Sequence, residues 1–145
     1  MIALGCDHGG FELKNKLLDF LKSSGYEVKD FGIYENKSID YPDIAAPVCE
    51  SIINGECDRG ILVCGTGIGM SIAANKHKGI RAAVCGDIYS ARMTKCHNNS
   101  NIIALGGRVI GEDVAKEIVT AWLTAEFEGG RHAARVQKIT DLENK

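Results

Sequence analysis

The chain has 145 residues, 45% hydrophobic and 25% charged, with 17 basic against 19 acidic residues and a formal net charge of −2. That length suits one compact domain spanning 1–145, burying about 68% of the unfolded chain's surface. Balanced charge without a basic run argues against nucleic-acid or membrane-surface partners, and no apolar stretch nears the roughly 20 residues that cross a bilayer.

Short β-branched runs alternate with helical patterns along the chain. Met1–Cys6 reads as a first strand, and the Asp7-His8 pair directly behind it, with no basic segment in front, is unlike a secretory signal. Leu13, Leu17 and Leu21 recur every fourth residue as one helix face, which Ser23-Ser24-Gly25 ends. Tyr26–Phe31 is a second strand, and Asp40-Tyr41-Pro42 leads into a helix bearing Ile44, Val48 and Ile52. Gly60–Cys64 is a third strand, followed by a glycine turn and a helix to about Lys76. Ile80–Cys85, a helix near Ile88–Cys96, and the strand Asn101–Leu105 come next. Val114, Ile118 and Trp122 line another helix. Glu128-Gly129-Gly130 breaks the pattern before a charged helix over Arg131–Leu142.

Alternation of this kind predicts a three-layer α/β/α Rossmann-like domain, a five-stranded parallel sheet with an extra C-terminal helix. Ligands in such sheets bind beyond the carboxyl ends of the strands, so the residues there carry the functional reading. Six cysteines without a CxxC pair fit neither a zinc site nor a disulfide scaffold, and read as mostly buried free thiols in a reducing cytoplasm.

Cys64-Gly65-Thr66-Gly67-Ile68-Gly69 follows the third strand. Its glycines allow close backbone approach to a ligand, and the N–H groups of the following helix favour negative charge and a thiolate. The bland alternative is a packed thiol. The turn is not a P-loop, since no Gly-Lys-Ser/Thr follows. A nucleotide-binding reading is kept open by Asp87 after the next strand, where a ribose-binding acid is expected. Asp7-His8-Gly9-Gly10 follows the first strand, where Asp7 can cap a helix or act on a ligand. His97-Asn98 is either a loop network or an acid/base with its partner. Arg108 follows the fifth strand, and Arg131 and Arg135 share a helix face: a solvated surface, or a phosphate clamp.

Assembled in order, these segments resemble the ribose-5-phosphate isomerase B family, which includes galactose-6-phosphate isomerase subunits and allose-6-phosphate isomerases. The resemblance spans the chain and rests on Gly5–Gly10, Asp40-Tyr41-Pro42, Cys64–Gly69 with Ser71–Lys76, Gly79–Ala82, His97-Asn98, Gly106-Gly107-Arg108 and Gly129-Gly130-Arg131-His132. It implies a cofactor- and metal-free aldose–ketose isomerase with Cys64 as the base. The N–H groups of Gly65, Thr66, Gly67, Ile68 and Gly69 would hold an enediolate, with Thr66 also hydrogen-bonding a substrate hydroxyl and Tyr41 binding the substrate. His97 would assist ring opening and Asp7 would relay protons. His8, Arg108, Arg131 and Arg135 would take the phosphate, with Asn98 on the sugar. A branch of the family places its base, a glutamate, at the position of Met70, which cannot act as one. Members pair as homodimers, or dimers of dimers. His97, Asn98, Arg108 and Arg131 would then come from the neighbour of the chain supplying Cys64.

Overall fold

A computed structural model describes all residues from Met1 to Lys145. The chain runs β1 (Ile2–Cys6), a 3₁₀ turn (His8–Gly10), α1 (Phe11–Ser23), β2 (Val28–Asp30), α2 (Pro42–Ile53), β3 (Arg59–Cys64) and α3 (Ile68–Ala74). It continues through β4 (Ala82–Val84), α4 (Ile88–Asn98), β5 (Ile102–Gly106), α5 (Glu112–Thr124) and α6 (Arg131–Glu143). The five strands are all parallel, in the order β2-β1-β3-β5-β4.

The three central strands are near-continuous apolar runs because helices cover both sheet faces. Every residue of β1 and β5 is buried, as is β3 from Gly60 onward. α2 and α3 pack together, and α1 and α4 pack on α5; α6 lies outside, against α4. This is the expected three-layer α/β/α architecture with an added C-terminal helix. The register pairs Cys6 with Val63 and Cys64 with Gly106, so β1, β3 and β5 end side by side.

The two edge strands are shorter than the sequence suggests. β2 keeps only Val28–Asp30 of Tyr26–Phe31, and β4 only Ala82–Val84 of Ile80–Cys85. An edge strand is paired on one side only, so its ends turn away sooner: the Tyr26 N–H bonds back to Leu21 O, and the Ile80 N–H to His77 O. α3 stops at Ala74 rather than near Lys76. Val114 is exposed rather than core-facing, since α5 buries Ala115, Ile118, Val119, Trp122 and Leu123 instead.

Lys14 is buried to 1% exposure, where an unpaired ammonium would be untenable. Its Nζ lies 2.9 Å from Asp30 Oδ2 and donates to Ile33 O at 3.0 Å. Asp30 also accepts the Gly32 N–H at 2.8 Å. The buried pair ties α1 to the chain leaving β2.

Candidate active site

Three strand ends build one wall of the site. Cys64 terminates β3, Asp7 follows β1, and Arg108 follows β5, and backbone bonds lock the three loops together. The Asp7 N–H donates to Val63 O (3.2 Å), the Gly107 N–H to Cys64 O (2.8 Å), and the Arg108 N–H to Gly65 O (3.0 Å). This seam tolerates no side chain: a Cβ on Gly9 would lie 2.8 Å from Gly65 N, and one on Gly107 2.7 Å from Gly9 O.

Cys64 is 5% exposed, and its sulfur accepts the Gly67 N–H at 3.1 Å. Gly67 reaches that position through a left-handed φ of 82°, which an L side chain rarely adopts. Thr66 Oγ1 accepts the Ile68 N–H (3.2 Å). The Gly65 and Thr66 N–H groups donate to nothing in the chain, so two backbone donors beside the sulfur are free for an oxyanion. α3 has only seven residues, too short for much of a helix dipole. The N–H groups of the turn itself, more than the helix behind it, supply the positive field. Arg108 lies along the turn, its Nη1 3.2 Å from where a Gly65 Cβ would stand, and the Tyr41 ring covers Gly69. Arg108 therefore sits on the Cys64 loop of its own chain.

Asp7 Oδ1 accepts the Gly9 N–H at 2.8 Å and so caps the 3₁₀ turn. His8 beside it is exposed, with its Nδ1 accepting from Ile39 N at 3.4 Å. Met70 is wholly buried in the core. Asp87, the residue behind the nucleotide alternative, instead caps α4 by accepting the Ser90 N–H at 2.8 Å, which holds its carboxyl below the usual range. All six cysteines are free and buried. Burial pushes the Cys6 and Cys85 thiols up to about 11 and Cys49 to about 12. They are packing groups.

The remaining expected residues gather elsewhere. His97 and Asn98 form the last turn of α4 rather than a loop. A helix that leaves the carboxyl end of β4 runs back to the amino end of the sheet. Asn98 accordingly lines a groove with Arg81, Ala82 and Ser100, at the amino ends of β4 and β5. The five-residue strand β5 alone separates that end from Gly106 by about 13 Å. His97 and Asn98 thus lie across the sheet from their own chain's Cys64.

His97 also meets the start of α6. Its ring stacks on His132 with centroids 4.2 Å apart and planes 7° from parallel. Glu128 Oε1 lies 3.7 Å from His97 Nε2 and 3.6 Å from His132 Nε2. Burial, then the neighbouring His97 and Arg131, hold His132 below the ordinary histidine pKa, despite Glu128. Arg135 acts in the same direction, so Arg131 and Arg135 share this corner, away from Arg108. The ligand atoms of His97, Glu128 and His132 all lie within 4.8 Å of one another. The nearly parallel rings, however, aim their in-plane lone pairs side by side rather than at one metal ion. Glu128 is not among the expected site residues: its contact with His132 is the local one of residues four apart, and the docking of α6 on α4 brings it to His97 as well.

The family model described as Ribose/Galactose Isomerase matches residues 2–139. Ribose-5-phosphate isomerase B of Escherichia coli is 51% identical over 144 residues, covering 99% of this chain and 97% of that protein. D-erythrulose-4-phosphate isomerase of Pectobacterium atrosepticum is 49% identical over 146 residues, covering 99% and 95%. The structure of ribose-5-phosphate isomerase B from Clostridium thermocellum superposes with a TM-score of 0.97 at 59% identity, covering 99% of this chain and 97% of that one.

Proposed function

The chain belongs to the ribose/galactose isomerase family, and from that premise we propose that it interconverts D-ribose 5-phosphate and D-ribulose 5-phosphate through a cis-enediolate. The observation that carries the reading is Cys64: a strand-end thiol in contact with the Gly67 N–H, beside two backbone donors with no partner in the chain. Cys64, as thiolate, takes the C2 proton of the open-chain aldose while negative charge develops on O1. The Gly65 and Thr66 N–H groups stabilise that charge, worth on the order of 3 kcal/mol per donor. Returning the proton to C1, with a proton moved from O2 to O1, yields the ketose. Hydrogen travels as a proton within one molecule, so the step calls for no redox cofactor.

The phosphate falls to His8 and Arg108 on one side and to Arg131 and Arg135 on the other, with Asn98 and Tyr41 toward the sugar. Asp7 relays protons, and His97 opens the ring. Because His97, Asn98, Arg131 and Arg135 lie away from the Cys64 of their own chain, the complete site is one shared between two copies in a homodimer. The enzyme works in the cytoplasm, where six free thiols stay reduced, in the non-oxidative branch of pentose phosphate metabolism.

The test is an isomerase assay without added metal on ribose 5-phosphate, allose 6-phosphate, galactose 6-phosphate and erythrulose 4-phosphate. Ribose 5-phosphate should show the highest kcat/KM. A higher value for the four-carbon ketose would move the assignment toward the Pectobacterium relative's substrate, and no turnover of any sugar phosphate would overturn it.

A further inference from the structure

His97 is held in place by two groups to which the reaction above gives no task. The backbone N–H of Glu128 donates to Cys96 O at 3.0 Å, docking the α5–α6 connection on the turn of α4 that carries His97. Gly129 and Gly130, at φ 67° and 54°, then turn the chain sharply into α6. The His132 N–H bonds back to Gly129 O at 3.0 Å, and four residues beyond Glu128 the His132 ring lies flat against His97. His97 thus meets an imidazole on its face and a carboxylate oxygen 3.7 Å from Nε2.

We propose that Glu128 and His132 are positioning residues for His97 in opening the sugar ring: His132 sets the plane of its imidazole, and Glu128 sets its tautomer. This rests on the assignment of ring opening to His97. A carboxylate beside Nε2 favours the proton there, leaving Nδ1 as the basic nitrogen. Nδ1 then takes the proton of the anomeric O1–H, whose bonding pair becomes the C1=O π bond as C1–O4 breaks. The electron pair of C1–O4 stays on O4, which receives the proton back from the imidazolium. Nothing is oxidised and the proton count is unchanged. The charged and titratable groups facing His132 are His97 from α4, Glu128 from the connection, and Arg131 and Arg135 from α6. Burial first, then His97 and the two arginines, disfavour a proton on His132, which leaves the Glu128 charge to His97.

The test separates ring opening from proton transfer. Ribose 5-phosphate is ring-closed in water. Ribulose 5-phosphate is open-chain, because O5, which would close a five-membered ring on C2, carries the phosphate. Isomerisation of ribose 5-phosphate is therefore compared with solvent deuterium exchange at C1 of ribulose 5-phosphate, followed by NMR. Glu128→Gln is the first variant, since the Glu128 side chain is 53% exposed and the change leaves no buried hole. It should lower kcat on ribose 5-phosphate about tenfold, a fraction of the roughly 10²–10⁴ that acid–base catalysis contributes, and leave exchange within about twofold. His132→Ala should show the same split, and His132→Phe, which keeps the stacked ring, should restore most of the loss. His97→Asn should show the split more strongly. If His97→Asn splits the two readouts and Glu128→Gln does not, the positioning role is overturned while ring opening by His97 stands. If His97→Asn lowers both equally, ring opening by His97 fails and the positioning role falls with it.

Discussion

The carboxyl ends of β1, β3 and β5 and the corner between α4 and α6 solve recognition by opposite means. At the strand ends the working parts are mostly backbone: glycines pressed together, N–H groups aimed past a sulfur, and one arginine laid along a turn. At the corner they are side chains stacked on one another: two imidazoles, a carboxylate and two arginines. The first can stabilise a developing oxyanion and position a base. The second can hold a phosphate and move a proton on a sugar oxygen. One copy of the chain holds them at opposite ends of its sheet. The proposed site shared between two copies would bring them together.

The largest effect should come from the base. Cys64→Ala should lose on the order of 10²–10⁴-fold in kcat, with calorimetry showing ribose 5-phosphate still bound. Turnover near wild type would break the contrast between a chemical end and a binding corner. Next in size is subunit complementation, which tests whether the two regions meet across an interface. Cys64→Ala and His97→Asn protein, each nearly inactive on ribose 5-phosphate, are unfolded together and refolded. Random pairing gives half heterodimers with one intact site in two, so about a quarter of wild-type activity should return. No recovery would place both residues in one chain's site.

The smallest effect sharpens the corner. His132 has its pKa below the ordinary value of 6.5, chiefly by burial, so the folded protein resists protonating it while the unfolded chain does not. Its contribution to stability is therefore present above pH 6.5 and is lost as pH falls through the lowered pKa. Thermal melts between pH 8 and 5 should show this decline, and His132→Phe should flatten it. An unchanged slope in that variant would assign the decline to other groups.

Much of this was legible in the order of residues. The runs read as strands, Met1–Cys6, Gly60–Cys64 and Asn101–Leu105, are largely apolar because both sheet faces are covered, and they match β1, β3 and β5 to within a residue at each end. The glycine turn after Cys64 is visible because close backbone approach needs residues without a Cβ, whatever the global fold. Edge strands were overestimated, since a β-branched run does not reveal whether it has one neighbour or two.

Sequence alone placed the central elements, put Asp7, Cys64 and Arg108 at strand ends, and marked the glycines packed there, because each is a local property of a few adjacent residues. The tertiary structure alone decided three things. Arg108 folds onto its own chain's Gly65, His97 sits at the far end of the sheet from Cys64, and Glu128 meets the stacked pair of His97 and His132. Apart from the Glu128–His132 contact, which is local at four residues' spacing, those relations depend on strand order and on where α6 docks, which bring together residues far apart in the chain that no local spacing pairs.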